Sequence, residues 1–247
     1  MSPATRHLVL VLGDQLNADS SAFHGFDPAQ DRVWMAEVDE ESTHVPSSKQ
    51  RTTLFLSAMR HFAQHLRDKD WPVVYRLLDD ADNKGSLASE LDQAIREYQP
   101  RGLVMTAPGE WRVWQQLRQT AEQHGLPLEV RDDDHFLCTV RDFKAYVQGK
   151  KQIRLEYFYR ELRRKHNILM EGKQPIGDQW NFDADNRGSF GKSGPGKLPA
   201  PSRFEPDDIT REVMGCVNIR FAHHPGSVSP FGWPVTRTQA LQALADF

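Results

Sequence analysis

The stretch LVLVLGDQL at residues 8–16 decides the fold class. Its aliphatic run ends at Leu12 and is followed at once by Gly13, Asp14 and Gln15. A short apolar run that stops at a glycine and polar residues is typical of a buried strand followed by a turn. Glycine lets the backbone approach a ligand, and the two polar side chains offer a carboxylate and an amide. This turn is therefore either an ordinary link between elements or the first loop of a binding site.

The same kind of apolar run recurs four more times before residue 132, which predicts five strands in all. Helical spacing of apolar residues fills three of the intervals between these runs, and each set predicts one stripe packed on a sheet. Strands that alternate with helices indicate a Rossmann-like α/β domain with a five-stranded parallel sheet. The further strands are Val33 to Val38, Val73 to Leu77, Leu103 to Thr106 and Leu128 to Val130; the stripes are Leu54, Met59, Phe62 and Leu66, then Leu87, Leu91, Ile95 and Tyr98, then Trp111, Trp114, Leu117 and Ala121.

Composition excludes several classes of protein. The chain has 247 residues, 38% of them hydrophobic, a net charge of −3 and two cysteines. A disulfide scaffold needs more cysteines, and a membrane span needs a far longer apolar run than the one at residues 8–12. No secretory leader pattern opens the sequence, so a soluble cytoplasmic protein without a membrane partner is the expectation.

The pattern changes after residue 132. Residues 136–147 and 155–170 have helical spacing, and no convincing strand follows them. Residues 173–206 are rich in glycine and proline, which predicts a long linker or functional loop. Residues 207–247 contain two helix starts but are too few to bury a core of their own. We therefore expect them to open a further, truncated domain.

The second predicted strand ends in a cluster of four acidic residues: Glu37, Asp39, Glu40 and Glu41. They should lie at the same edge of the sheet as Gly13, because the carboxyl ends of parallel strands share one edge. Clustered carboxylates disfavour a phosphate, and no neighbouring histidine pattern completes a metal site. The cluster is either a solvated acidic loop or one wall of a binding crevice.

A basic segment covers residues 141–173, where ten Lys or Arg stand against four Asp or Glu. Helical spacing turns Arg160, Arg163 and Arg164 away from the apolar side of this segment. Arginines on one face supply the sequence-independent part of nucleic-acid affinity. Spacing does not distinguish such a phosphate-binding surface from a solvated basic helix.

Two other patterns are incomplete. Residues 191–198 fit the first part of a phosphate-binding loop, but Leu198 stands where Mg²⁺ binding needs Ser or Thr. Cys138 and Cys216 are far apart and belong to no Cys-x-x-Cys motif. We therefore predict no metal site within this chain.

Several blocks together resemble the deoxyribodipyrimidine photolyase-related proteins, the iron-sulfur bacterial cryptochromes and (6-4) photolyases. The likeness runs from residue 7 to the C-terminus, and VTRT at 235–238 resembles the start of the family's helical domain. The combination of the first and last blocks is specific, although either alone would be weak. The blocks are LVLGDQL at 10–16, SAMRHFA at 57–63, DDADN at 79–83, PGEWR at 108–112, EYFYR at 156–160 and WNFDADNR at 180–187.

The resemblance implies a two-part, light-dependent carbon–carbon lyase that repairs UV-damaged DNA, in this case (6-4) photoproducts. Residues 1–133 would be the antenna domain, which holds 6,7-dimethyl-8-ribityllumazine. Residues 134–206 would be basic helices and the interdomain linker, and residues 207–247 the start of the helical domain. FAD, an iron-sulfur (4Fe-4S) cluster and the catalytic residues are expected beyond Phe247. We therefore expect this chain to have no repair activity without its own C-terminal helical domain.

The resemblance also assigns roles to residues. Gly13, Asp14 and Gln15 would form the first loop of the antenna crevice, while Glu37 and Glu41 would accept hydrogen bonds from a ring N–H or from ribityl hydroxyls. A ribityl-lumazine carries no phosphate, which agrees with the acidic cluster. Residues 47–51, SSKQR, depart from the more basic, histidine-containing run of the family.

The resemblance places Asp183 and Arg187 in the interdomain loop, on the DNA side with the basic helix. Three alternatives stay open at this point. One is a stand-alone Rossmann-like module for a nucleotide or flavin. Another is a blue-light photoreceptor without repair activity. The third is a nucleic-acid-binding adaptor that works through the basic helix.

Overall fold

The computed structural model of the chain describes residues 5–183 and 187–247. Ala184, Asp185 and Asn186 of the WNFDADNR block lie outside the described residues. The chain divides into two compact units, Met1–Arg131 with Pro201–Phe247, and Asp132–Ala200. No helix in the described ranges has both the length and the apolar character needed to cross a membrane.

The first unit is built on a five-stranded parallel sheet, which confirms the predicted Rossmann-like α/β fold. The spatial order is β3-β2-β1-β4-β5. The chain therefore runs outward from β1 in one direction and returns to add β4 on the other side of β1. The crevice at such a reversal, outside the carboxyl ends of the strands, is where open α/β sheets bind ligands. The strands are β1 (His7–Leu10), β2 (Arg32–Ala36), β3 (Val73–Arg76), β4 (Gly102–Thr106) and β5 (Leu128–Arg131).

Helices cover both faces of the sheet. A short 3-10 turn at Ser21–Phe23, together with α2 and α7, packs on one face, and α3 and α4 pack on the other. Alternate strand residues supply the two apolar clusters, for instance Val9 to the first and Leu10 to the second. The helices of this unit are α1 (Asp39–Thr43), α2 (Lys49–Arg67), α3 (Leu87–Tyr98), α4 (Trp111–Gln123), α7 (Asp208–Arg220) and α8 (Arg237–Asp246).

The predicted apolar stripe of α4 is wrong at its first two positions. Val113, Leu117 and Ala121 are the buried apolar residues of this helix, and they recur every four positions. Trp111 is 67% exposed, and its ring stacks on that of Trp114 with 4.6 Å between the centroids. Two overlapping stripes were present in the sequence, and the aliphatic one faces the sheet.

We expect Trp111→Ala to lower the free energy of unfolding by less than about 1 kcal/mol, because only an exposed ring contact is lost. Val113→Ala should cost more, about 1.5 kcal/mol, since it removes two buried methyl-sized groups. Denaturant unfolding of both variants compares them directly. A larger loss for the tryptophan variant would contradict the assigned orientation of α4.

The C-terminal segment of this unit returns to the sheet domain. The helix α7 packs along α2, and Arg220 at its end forms an ion pair with Asp39 of α1. A capping box at Thr236 and Gln239 begins α8. Residues 201–247 therefore share one compact unit with the sheet. That residues 207–247 also open a further helical domain stays a prediction.

The second unit contains the basic segment. Its helices are α5 (Val140–Val147) and α6 (Leu155–His166), and Phe143 of α5 packs edge-on against Phe158 of α6. A small antiparallel hairpin follows, formed by β6 (Met170–Glu171) and β7 (Gln174–Pro175). The prediction that no strand follows residue 132 is therefore wrong. The hairpin strands have two residues each, too few to give a periodic pattern in the sequence.

Candidate functional site

A cleft of about 220 Å³ lies at the carboxyl ends of β1, β2 and β4, where the strand order reverses. Most of its buried lining residues are apolar, and its rim carries most of the polar side chains. This composition is typical of sites for organic ligands, which combine an apolar interior with a few polar groups. The lining residues are Leu12 to Asp14, Ala36 to Val38, Glu41, Ser42, His44, Val45, Ser47, Arg51, Thr52, Phe55, Leu56, Met59, Leu87, Pro108 to Glu110, Arg112 and Val113.

Four of the five residues predicted for this crevice line it: Gly13, Asp14, Glu37 and Glu41. Glycine fits at residue 13 because a Cβ atom there would lie 2.9 Å from the sulfur of Met59, another lining residue. The loop after β1 and the helix α2 thus meet at the floor of the cleft without an intervening side chain.

Gln15 is not among the lining residues. Its side-chain amide donates hydrogen bonds to the carbonyl oxygens of Thr106 and Ala107, at 3.3 and 3.1 Å. These bonds tie the loop after β1 to the end of β4. Gln15 therefore shapes the crevice from outside, and a direct contact with a ligand stays only a prediction.

Glu37 closes β2 with a carboxylate that protein donors already occupy. It is 1% exposed, and Arg60 donates to both of its oxygens, at 2.7 and 2.9 Å. The Tyr75 hydroxyl and the backbone N–H of Leu78 donate to it as well, at 2.8 and 2.9 Å. This carboxylate joins β2, α2 and β3 behind the wall of the cleft.

The charges of this network reinforce one another. Burial and the adjacent Glu37 carboxylate raise the pKa of Tyr75 well above its usual value, so its hydroxyl remains a donor. Burial acts to lower the pKa of Arg60, but its hydrogen bonds to Glu37 outweigh burial and raise the pKa. Arg60 also lies 3.2 Å from a carboxylate oxygen of Glu212 on α7. The network therefore holds α2 between the sheet and α7.

The rim is held by ion pairs between α1 and α4. Arg112 donates to Glu41 at 2.8 Å and to Glu110 at 3.1 Å. Gln116 donates to Glu40 at 2.9 Å, one residue along α1. Apart from Glu37, whose charge Arg60 compensates, three lining carboxylates (Asp14, Glu41 and Glu110) stand against two guanidinium groups (Arg51 and Arg112). The cleft therefore has an acidic excess.

Sequence reasoning named residues 47–51 only as a departure from the family and missed that α2 lines the cleft. Arg51 stacks over the ring of Phe55, with 4.9 Å from the guanidinium carbon to the ring centroid, and donates to the Ser47 hydroxyl. Thr52 is buried beside them, and its hydroxyl has no hydrogen-bond partner within the described residues. The spacing of α2 could have revealed Thr52, because it is a polar residue at a buried position of an apolar stripe.

In the second unit, the predicted arginines of α6 gather around Trp180. The guanidinium carbons of Arg160, Arg163 and Arg164 lie 5.5, 5.2 and 4.4 Å from the centroid of its ring. The structure thus brings α6 to Trp180, the first residue of the WNFDADNR block. Further along the block, the backbone N–H of Asp183 donates a hydrogen bond to the side-chain oxygen of Asn181. The side chain of Arg187 is exposed.

The prediction that Arg163 faces away from the packed side is wrong. It is 4% exposed, and its guanidinium donates to the carbonyl oxygens of Ile168 and Leu169. The chain reverses after α6 through left-handed backbone at Asn167 and Leu169, which aims these carbonyls at the helix. Arg164 remains exposed, and Arg160 is half-buried beside Glu156.

Metal-binding residues do not cluster in the part of the chain that the structure describes. No group of three or more His, Cys, Asp or Glu there could hold a metal ion. Cys138 and Cys216 are free thiols and half-buried.

Comparisons with known proteins agree with the fold and the motifs. The family model of the deoxyribodipyrimidine photo-lyase-related proteins matches residues 9–233. The chain is 42% identical to a (6-4) photolyase of Agrobacterium fabrum over 241 residues, which is 97% of this chain and 47% of that protein. An uncharacterized protein of Acanthamoeba polyphaga mimivirus is 23% identical over 135 residues, 53% of this chain and 66% of its own length. The chain thus spans about half the length of the Agrobacterium protein, and with most of its sequence matched it belongs to the deoxyribodipyrimidine photo-lyase-related family.

Proposed function

We propose that the cleft of the first unit binds an aromatic light-absorbing cofactor with a hydroxylated, uncharged side chain, 6,7-dimethyl-8-ribityllumazine. The observation that carries the proposal is the cleft itself: a largely apolar interior with an acidic rim, placed where the strand order reverses. The family membership supports it, because two of the motifs that carry the resemblance, the loop after β1 and the start of α4, line the cleft.

The residues present fit such a group. Leu12, Leu56 and Met59 supply an apolar floor for a planar ring. Asp14 and Glu41 are carboxylates that can accept hydrogen bonds from hydroxyl groups at the rim. The acidic excess disfavours a phosphate, and the lumazine has none.

Within this proposal the lining residues have different tasks. Gly13 keeps the floor open, and Arg112 orients Glu41 at the rim. Glu37 acts through Arg60, by keeping β2 and α2 in place, rather than by touching the cofactor. The cofactor, when bound, supplies absorption of near-ultraviolet or blue light.

For a protein that contains this chain at the length of the Agrobacterium relative, we propose light-dependent repair of UV-damaged DNA; that relative is named a (6-4) photolyase. FAD, the iron-sulfur cluster and the helical domain that would hold them belong to this proposal for the longer protein. A photoreceptor without repair activity would contain the same antenna cleft. Repair of a (6-4) photoproduct by the longer protein under illumination distinguishes the two.

The absorption and fluorescence spectrum of the purified chain tests the proposal. A near-ultraviolet fluorophore that is retained by the chain and identified as the lumazine after denaturation would support it. A bound flavin nucleotide would instead favour the stand-alone nucleotide- or flavin-binding module. Such a result would contradict the antenna assignment.

We further propose that the second unit contacts the DNA backbone through exposed cations of α6 and the loop beyond it. Arg164 and Arg187 are exposed, and Arg160 lies one helical turn before Arg164 on α6. Asp183 would contact the DNA from the same loop, directly or through a cation. Arg163 is left out of this proposed surface, because its guanidinium is buried against carbonyl oxygens.

Arg164→Ala is expected to weaken binding of UV-irradiated duplex DNA about threefold and to lower the salt slope by about one, since one phosphate contact is lost. The control is Arg118→Ala, an exposed arginine on α4 of the other unit. Fluorescence anisotropy over a salt series measures both. Equal effects of the two substitutions would contradict a specific role for α6, and tight binding by the wild-type chain would favour the adaptor.

A further inference from the structure

The helix α2 carries one hydroxyl group on its otherwise apolar inner stripe. Thr52, Leu56, Met59, Ala63 and Leu66 recur at the three- and four-residue spacing of one helix face, and all five are buried. The first three line the cleft, whereas the last two pack in the core. Thr52 is therefore the polar residue at the point where the core stripe becomes the wall of the cleft.

The hydroxyl of Thr52 is buried without a partner. The residue is 4% exposed, and no described donor or acceptor forms a hydrogen bond with its Oγ1. A helical threonine can bond to the carbonyl four residues earlier, but here the carbonyl of Ser48 accepts only from the Thr52 backbone N–H, at 3.0 Å. An unpaired buried hydroxyl is unfavourable, so a partner from the cleft would stabilise it.

Burial without a partner does not by itself identify a ligand-binding hydroxyl, and Thr53 is an example. It is also fully buried, and its hydroxyl also lacks a partner among the described residues. Thr53 does not line the cleft, however, and Thr52 does. The two threonines therefore differ in access to the cleft, which a contact with a ligand requires.

We propose that the Thr52 hydroxyl is a specificity-determining group that hydrogen-bonds to a polar atom of the cofactor's ring. The inference rests on the proposed function, since it names a recognition residue of the same cleft. The neighbours of Thr52 on the stripe are Leu56 and Met59, so its hydroxyl is the polar group on the apolar, buried part of this wall, whereas Arg51 is exposed. It would favour a heterocycle with carbonyl or ring-nitrogen acceptors over an apolar aromatic of the same size.

Thr52→Val tests the proposal because it removes the hydroxyl and keeps the shape of the side chain. The purified chain is titrated with 6,7-dimethyl-8-ribityllumazine, and both the affinity and the absorption maximum of the bound form are recorded. We expect Thr52→Val to bind about five- to tenfold more weakly, the loss of one hydrogen bond. The absorption maximum should also shift, because a hydrogen bond to the ring perturbs its electronic transition.

Two further variants keep the result interpretable. Thr53→Val is the matched control and should leave both the affinity and the spectrum unchanged. Thr52→Ser retains the hydroxyl and should retain the wild-type absorption maximum. Circular dichroism establishes that each variant is folded.

Each outcome decides something. Equal affinity and equal spectra for wild type and Thr52→Val would overturn the inference and leave the proposed function intact. Equal losses in Thr52→Val and Thr53→Val, without a spectral shift, would overturn it in favour of a general effect on α2. No saturable binding by the wild-type chain would overturn the proposed function and this inference together.

Discussion

Replacing Glu37 by glutamine is expected to lower the free energy of unfolding by about 3 kcal/mol, because it leaves the guanidinium of Arg60 buried without its closest negative partner. The amide would also place an N–H₂ group where Arg60, Tyr75 and Leu78 all donate. Glu212 and Asp79 remain within 4 Å of Arg60, at 3.2 and 3.7 Å, so the expected loss is at the lower end for a broken buried pair. Urea denaturation measures this change.

Glu41→Gln is the matched control for this experiment. Glu41 also pairs with an arginine, Arg112, but its carboxylate is about one-third exposed. Removing such a pair should change the free energy of unfolding by no more than about 1 kcal/mol. A Glu37→Gln variant as stable as Glu41→Gln would show that the buried network does not hold β2 and α2 together.

Ser42→Trp is expected to have the largest effect on binding. Ser42 lies on α1 and lines the cleft, so an indole at this position would occupy space that a ring-sized ligand needs. Excluding about 100 Å² of apolar ligand surface, at about 25 cal/mol per Å², weakens binding on the order of 50- to 100-fold. Titration with 6,7-dimethyl-8-ribityllumazine measures the loss.

Thr43→Trp provides the comparison, because Thr43 is the next residue of the same helix, is exposed and does not line the cleft. It should bind the lumazine with the affinity of the wild-type chain. If both tryptophan variants bound equally well, the binding site would have to lie outside the cleft.

The fold was predictable because its signals are local. Each strand is an apolar run, and the observed strand ends lie within two residues of those predicted, as β1 (His7–Leu10) against Leu8 to Leu12 illustrates. The buried face of α4 was not predictable, because tryptophans and aliphatic residues form two competing stripes. Only packing on the sheet distinguishes Val113 from Trp111.

The location of the site could be predicted from the sequence, but the contacts of its residues could not. Gly13, Asp14 and Glu41 line the cleft because the carboxyl ends of parallel strands meet at one edge. The carboxylate of Glu37 is occupied by Arg60 and Tyr75, which are 23 and 38 residues away in sequence. Spacing along the chain has no information on such long-range pairs.

Arg163 illustrates the same limit in the second unit. Helical spacing predicts its direction from α6 alone, but its partners are the carbonyls of the turn that follows the helix. That turn depends on left-handed backbone at Asn167 and Leu169, neither of which is a glycine. Asparagine is a usual left-handed residue at a helix end, but leucine is not, so the sequence gives no signal for the second part of the reversal that buries this arginine.

The most direct test of the antenna assignment is a fluorescence titration of the purified wild-type chain with 6,7-dimethyl-8-ribityllumazine. We predict saturable binding of one molecule per chain, with wild-type affinity in Thr43→Trp and affinity weaker on the order of 50- to 100-fold in Ser42→Trp. The absence of saturable binding to the folded wild-type chain, or binding that Ser42→Trp leaves unchanged, would contradict the account.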